Sequence, residues 1–473
     1  MISVPGIGSG LDINSIVTSL VAAEGDAKTL LLANQRSDTQ FEVSAFGALK
    51  SRLSTFATSL TFLKSADNFQ ANTLTSEDTS VFTATSTSGS ISPGIFDIEV
   101  RDFAEAHKLM TSGFADQDTV VGTGTLTIFS GTSSFDVTID NNNETLAGIR
   151  NAINNATDNT GVSATIINVD DGVGGTEAKL VLSSDNTGTD NAITITVDDS
   201  DLDDTDSSGL SAFYYDTSDA TTPEQLTQIN AAIDAEIYID GQKVLSASNT
   251  VVDAIDGVTI TLLKEDPGNT YGLTVANDTE TVKSNIQSFV SNYNTLVTFM
   301  NDVTEFDPAT GEAAVLLGDA TTRNISNQIR TRIADAVTGI SGKFTTLVDV
   351  GITSNSDGTL KINSNTLDSA IDENIDDVSA LFSSTNGVAT KLDSIVNEYV
   401  KKDGLLDSKT NGLNSTIENI NEDLEALELS LIAFEERLLA QFSAMDALVA
   451  QLNSTSSFLT QQFEAIKNIN DRS

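Results

Sequence analysis

The chain has 473 residues, with 24 Lys and Arg against 68 Asp and Glu, a formal charge of −44 and no cysteine. That length exceeds a single hydrophobic core and implies about three domains, while the charge excludes nucleic acid as a partner, since phosphate binding depends on cationic side chains that release counterions. Lack of cysteine excludes disulfides, thiolate metal sites and a Cys nucleophile.

The opening is Gly-rich as far as Gly10, and Ile13, Ile16 and Leu20 then begin a helical pattern. The first basic residue is Lys28, so the basic start of a secretory signal is missing. No stretch approaches the roughly 20 apolar residues of a membrane span, so membrane insertion is not expected and any export uses another route. Phe46, Leu49, Leu53, Phe56, Leu60 and Leu63 follow in alternating steps of three and four, the arithmetic of a coiled-coil face.

From about 70 to 277 the composition changes to Thr, Ser, Gly, Asp and Asn with short alternating apolar runs, such as Ile95 to Val100 and Phe135 to Ile139; these read as strands. Thr125 to Ile128 and Phe135 to Ile139 flank a turn, Leu146, Ile149 and Ile153 line a short helix, and strands follow near Val162 to Val169, Leu180 to Leu182 and Ile193 to Val197. Asp198 to Asp206 is expected to be a solvated loop, and the tract on to Thr222 the least ordered part of the middle. Strands at Ile237 to Ile239, Val244 to Leu245 and Val258 to Leu263 are expected to complete one domain with Val81 to Val100, across the insertion.

Val282, Ile286, Phe289, Tyr293, Leu296, Met300 and Val303 repeat the three-and-four arithmetic, equally compatible with a core helix and a coiled-coil face. A hairpin is signalled by Ile352, the turn Ser356-Asp357-Gly358 and Leu360 to Ile362, followed by a helix facing inward through Leu367, Ile371, Ile375 and Val378. The last segment carries an unbroken heptad run, Leu413, Ile417, Ile420, Leu424, Leu427, Leu431, Phe434 and Leu438. After a stutter it resumes through Phe442, Met445, Val449, Leu452, Leu459, Phe463 and Ile466. Burying the first eight of these side chains is worth on the order of 10 to 25 kcal/mol as an upper bound, so the seam must meet another helix. Glu418, Glu422, Glu425, Glu428 and Glu435 would repel one another in a parallel homodimer, which favours pairing with the first helices or with a neighbouring subunit at staggered height.

The expected fold is therefore α+β and multidomain: a helical coiled-coil stalk formed by both chain ends, with nested β-rich head domains inserted in the middle. Residues 1–70 with 278–473 form the stalk, its coiled-coil segments being about 1–40 and 413–473; residues 71–110 with 235–277 form one head domain, and 111–234 a second one inserted into it.

Nothing in the sequence marks an enzyme, a metal site or a cofactor. The single histidine, His107, stands beside Lys108 without a nucleophile elbow or carboxylate pair. Asp199, Asp201 and Asp203 are followed by Asp204 where a calcium loop needs Gly. The glycines of Gly172, Gly174 and Gly175 lack the Lys and the strand-to-helix setting of a phosphate loop, and read as a turn between strands.

The opening "ISVPGIGSGLDINSIVTSLVAAE" from Ile2 resembles the amino terminus of the bacterial flagellar filament cap family, hook-associated protein 2. "SNTVVDAIDGVTITL" from Ser248, "LLGDATTRNISNQIR" from Leu316, "VGITSNSDGTLKIN" from Val350 and "KDGLLDSKTNGLNSTIENIN" from Lys402 are similar to its carboxy-terminal domain in order and spacing. "ETLAGIRNAINNATDNTGVSATII" from Glu144 resembles an insertion motif shared by flagellins and hook-associated proteins.

The resemblance implies a homo-oligomeric cap of about five subunits at the distal tip of the extracellular filament, retaining exported flagellin and promoting its folding and polymerisation. It further implies contact with flagellin and the hook-filament junction proteins, passage through the flagellar type III export apparatus, and a dedicated export chaperone at the C-terminal helix. On this reading the assembly surface is assigned to the terminal heptads: Ile13, Ile16, Leu20, Phe46, Leu49, Leu53, Phe56, Leu413, Ile417, Ile420, Leu424, Leu427, Leu431, Phe434 and Leu438. The alternative from another class is a surface adhesin whose acidic β head binds glycan or Ca²⁺.

Overall fold

The computed structural model describes residues 9–87 and 91–470, so most of the Gly-rich opening lies outside the described residues. The helices are α1 (Ile13–Leu63), α2 (Leu146–Asn155), α3 (Thr279–Thr304), α4 (Ala320–Ala334), α5 (Ser364–Ser383), α6 (Val388–Val400) and α7 (Leu405–Asn470). The chain divides into two compact units, one comprising Met1–Ala66 with Thr279–Ser473 and the other Asp67–Asp278. A helical unit built from both chain ends around a β-rich middle is the expected α+β class.

In the helical unit the second half of α1 packs on α3 and α6. Phe46, Leu49, Leu53, Phe56, Leu60 and Leu63 are all buried, as are Val282, Ile286, Phe289, Tyr293, Leu296 and Met300 of α3. Phe56 lies 5.9 Å from Phe289 and 6.0 Å from Tyr293 between ring centroids, and Phe382 of α5 meets Phe289 edge-on at 6.0 Å. Of the two meanings of the three-and-four spacing, α3 takes the core one. Phe46, Leu49, Leu53 and Phe56 were assigned to the assembly surface; here they are core, because helices of the same chain already cover them.

Helix starts follow side-chain capping, in which a short polar side chain takes an otherwise orphaned N–H. Asp12 accepts from the Ser15 N–H at 3.1 Å, and Asp319 from the Thr322 N–H at 2.8 Å. The hairpin Ile352–Ser354 with Leu360–Ile362 is tied to α3, whose Asn294 amide brackets Leu360 by donating to its carbonyl at 2.8 Å and accepting from its N–H at 2.6 Å. In α5, Leu367, Ile371 and Val378 are buried while Ile375 is half-buried, because the helix kinks at the non-helical Asn374.

In the β unit the strands on either side of the insertion pair with one another. The five-stranded sheet runs Asn72–Ser76, Tyr271–Asn277, Gly94–Asp102, Ala235–Ile239 and Gln242–Ser246, and a three-stranded sheet runs Thr250–Ile255, Val258–Leu262 and Phe82–Ser86. Alternating side chains such as Ile98, Val100, Ile237, Ile260 and Leu273 build one core. A second core gathers Leu126, Ile128, Leu146, Ile149, Ile153, Leu180 and Ile195 from the inserted strands and α2.

One boundary and one loop differ from expectation. Strand Ala106–Met110 pairs with Thr176–Thr187 and Thr227–Asn230, and its Leu109 lies in the second core, so the inserted part begins before residue 106 rather than at 111. Within the tract 198–222 the loop Ser200–Thr205 is exposed, as expected of a solvated loop, whereas Asp199 and the segment Leu210–Tyr215 are buried. Asp199 is buried, its carboxylate accepting from the Ser211 N–H at 3.0 Å, while Leu210, Phe213 and Tyr215 fill the interior. The three apolar residues stand three and two apart, across a short 3-10 turn and an isolated bridge, so they keep no single strand or helix period, and buried Asp199 finds its partners in backbone N–H groups.

Truncating Phe56 to Ala is expected to destabilise the helical unit by about 3 to 5 kcal/mol, the usual cost of removing a fully buried aromatic ring; denaturant unfolding of the full chain measures it, and a loss below about 1 kcal/mol contradicts the packing described.

His107 is buried, its Nδ1 accepting from the Ile193 N–H at 2.8 Å and its ring 5.7 Å from Tyr215. Burial holds its pKa below the ordinary 6.5. The unfolded chain therefore takes up the proton first, so the stability due to neutral His107 is complete above pH 6.5 and declines as pH falls toward the folded value. His107→Asn retains an acceptor without the titration. Unfolding of the two proteins between pH 7.5 and 5 is expected to show a steeper loss for the parent, and equal slopes would refute the assignment.

Candidate assembly surface

As far as Lys50, α1 runs antiparallel to α7, with one register throughout. At one end the backbone N–H and hydroxyl of Ser9 donate to Asp446 Oδ1 at 2.7 and 2.6 Å. Arg36 donates to the Asn421 amide oxygen at 3.3 Å, and at the other end Lys50 pairs with Asp407. That hydrogen bond from Lys50 holds the Asp407 carboxyl below its ordinary range. At 1.5 Å per residue the paired length is roughly 60 Å.

Gly25 allows a close approach. It is buried in the interior of α1, and a Cβ built there would stand 2.4 Å from Leu431 Cδ1. Glycine inside a helix costs about 1 kcal/mol relative to Ala, and here its missing side chain lets Leu431 lie against the α1 backbone. Lys409, 5.4 Å from the Phe46 ring centroid, joins the arm to the buried part of the unit.

The expected seam is present but only partly covered. Ile420 is buried, whereas Leu413, Ile417, Leu424, Leu427, Leu431, Phe434 and Leu438 are half-buried. On α1, Ile13 and Val17 are buried, Ile16 is half-buried, and Leu20 is 43% exposed. The contact row thus runs through Ile13 and Val17, not Ile13, Ile16 and Leu20. The sequence reading missed Val17, Gly25 and Asp446; the signal it could have used was Gly25, an isolated glycine within a helical pattern, which usually marks close packing.

Both flanks remain apolar. Leu30, Leu31 and Phe41 on α1 and Leu429 and Ile432 on α7 are exposed. Beyond Asp446 the helix continues without a break, and residues 450–467 are exposed throughout, including Leu452, Phe458, Leu459, Phe463 and Ile466. Contiguous exposed apolar surface of this kind marks an interaction site.

The other groups considered from the sequence have structural places. The Gly172 to Gly175 segment closes the hairpin between Val162–Asp170 and Thr176–Thr187, with Asp171 accepting from the Val173 and Gly175 N–H groups at 2.9 and 2.8 Å. Among the described residues no group of three or more His, Asp or Glu side chains is arranged to hold a metal ion, and no helix is long and apolar enough to cross a membrane.

Residues 9–107 match the family described as flagellar hook-associated protein 2 N-terminus, residues 232–454 its C-terminus, and residues 125–186 the flagellin hook IN motif. The chain is 35% identical over 484 residues to flagellar hook-associated protein 2 of Escherichia coli K12, covering 99% of each protein. It is 33% identical over 480 residues to B-type flagellar hook-associated protein 2 of Pseudomonas aeruginosa, covering 98% of this chain and 97% of that one. Among solved structures, the D1-D2-D3 domains of the flagellar cap protein FliD from Escherichia coli superpose with a TM-score of 0.64 at 32% identity, over 78% of this chain and 99% of that one. These likenesses extend across both units and the inserted motif, and on them the chain belongs to the flagellar hook-associated protein 2 family.

Proposed function

We propose that this chain caps a bacterial flagellar filament: several copies assemble at the distal tip, outside the cell, retain flagellin as it leaves the central channel, and hold it until it folds into the filament. The observation that carries this reading is the arm of α1 and α7, a stable antiparallel pair whose heptad seam is half-covered and whose end beyond Asp446 is apolar and exposed. Such a surface is costly in water and is stabilised by a neighbouring copy.

On this proposal Ile13, Ile16, Leu20 and the row from Leu413 to Leu438 act in assembly in two ways. The buried members fix the arm, and the exposed or half-buried ones face other subunits. The role is structural rather than catalytic. Export through the flagellar type III apparatus fits an arm with so little core of its own, because its ordering free energy comes largely from partners gained after export. A cytoplasmic chaperone on the C-terminal helix would cover the same apolar row beforehand. The proposed cap has about five subunits in a closed ring, next to flagellin and, at the start of assembly, the hook-filament junction proteins. No feature of the described β unit favours a glycan or Ca²⁺ adhesin.

Deletion of the gene in its host tests the function. Short or absent filaments with monomeric flagellin in the medium are expected, whereas normal filaments would refute it. At the level of the protein, removing 448–473 leaves the Ser9–Asp446 end of the arm in place. This truncated chain is expected to lose only the helical circular dichroism of the removed residues and to keep the thermal melting of the rest, while losing self-association in sedimentation velocity; oligomers of unchanged size would exclude the arm's end from assembly.

A further inference from the structure

A groove of about 450 Å³ runs along the arm, with Leu424, Leu431 and Ile432 among its lining and Glu425, Glu428 and Glu435 on one side. None of these carboxylates has an ion-pair partner among the described residues. Arg36 borders the groove but donates to the Asn421 amide oxygen. Glu428 and Glu435 are seven residues apart on α7 and both exposed, so they lie on one face with about 10 Å between their Cα atoms.

Helix α4 presents the complementary surface. It contains Arg323, Arg330 and Arg332 and no acidic residue, in a chain with 68 Asp and Glu. Arg332 turns inward to the Asn386 carbonyl. Arg323 and Arg330, also seven residues apart and exposed, have no carboxylate within ion-pair distance among the described residues. Arg330 reaches only the Asn301 amide oxygen at 3.2 Å and the Asp357 carbonyl at 3.4 Å. Nearby Asp319 is engaged by Lys409 at 3.3 Å and Asp357 by Thr359. Between the two arginines the helix carries Ser326 and Asn327, small enough for close approach, and before it Val315 and Leu317 are exposed.

The two surfaces cannot meet within one chain. Lys409 fixes the start of α7 to Asp319 beside α4, and Glu428 lies nineteen residues further along a continuous helix, roughly 28 Å away. We infer that the arm groove of one copy receives α4 of a second copy, Arg323 and Arg330 opposing Glu428 and Glu435 in matched seven-residue register, with Leu429 and Ile432 against Val315 and Leu317. The contact joins two different patches and so is head-to-tail, the type that generates rings or helices rather than two-fold dimers. It also gives copies that repel one another through a charge of −44 a local attraction and a fixed stagger. This inference rests on the arm mediating assembly, as proposed above.

The test is a charge swap in the full chain, read by sedimentation velocity at low and high salt with circular dichroism and thermal melting as folding controls. Self-association is expected to weaken on the order of tenfold or more in R323E/R330E and equally in E428R/E435R, and to return when all four changes are combined in one chain. If a reversal fails to fold, R323Q/R330Q and E428Q/E435Q replace it, and each is expected to weaken association and lessen its dependence on salt. Unchanged self-association in either double variant overturns the inference, whatever else that variant weakens, and so does a combined variant no better than its parents. The two failures are separable: association lost on removing 448–473 but indifferent to charge reversal sinks this inference alone, whereas a parent protein that stays monomeric sinks the assembly reading with it.

Discussion

Two helices touch along one line, and a heptad seam laid on that line is covered from one side only. Everything distinctive about the helical unit follows from this. The second half of α1 escapes the limit because α3 and α6 close over it, leaving Leu49, Leu53, Phe56 and Leu60 fully buried. Its first half has only α7, and Leu424, Leu427, Leu431 and Phe434 stop at half-burial. One continuous helix therefore has two regimes of stability. The inner half opens only with the whole core, while the outer half opens locally at much lower cost.

The acidic excess has a second structural root. Many aspartates end turns in an Asp-x-Ser or Asp-x-Thr pattern, where the carboxylate accepts both the N–H and the hydroxyl of the residue two positions on. Asp78 with Ser80, Asp203 with Thr205, Asp206 with Ser208, Asp216 with Ser218, Asp219 with Thr221 and Asp357 with Thr359 all do so. These bonds hold the carboxyls of Asp78, Asp206, Asp219 and Asp357 below their ordinary range, with the hydroxyl the largest cause each time. Much of the Asp content is thus turn chemistry and needs no ligand to explain it. The lysines, by contrast, are largely spent within the chain, as in Lys64 with Asp393 and Lys283 with Asp368.

The sequence alone revealed the alternation of the strands, the short helix behind Leu146, Ile149 and Ile153, and the nested order of helical and β segments, because each depends on local periodicity. It could not separate Phe46 to Phe56 from Leu413 to Leu438. Both rows step by three and four, and only the number of helices that cover them differs, which is a property of tertiary structure. The same limit hid Val17 behind Ile16 and Leu20, since a one-residue change in facing angle leaves the apolar count unchanged. In the tract 198–222 the exposed loop is legible in the acidic composition, but the buried places of Asp199 and of Leu210 to Tyr215 are not, because Asp199 is held by backbone N–H partners that composition does not reveal.

Half-coverage also bounds how strongly one copy can hold another. If the upper bound for burying the seam is on the order of 10 to 25 kcal/mol, about half remains for neighbours. Association consumes an estimated 4 to 15 kcal/mol before any affinity appears, so a single contact between two arms comes out near break-even. A closed arrangement changes the balance, because each copy then makes two such contacts and the last copy to enter loses its freedom once while gaining both. The acidic row on α7 pushes in the same direction, since side-by-side association of like faces brings Glu428 and Glu435 against themselves, whereas a staggered neighbour does not. On the proposed assembly, a seam that one chain only half covers, and that binds weakly in pairs, gains most from a closed set.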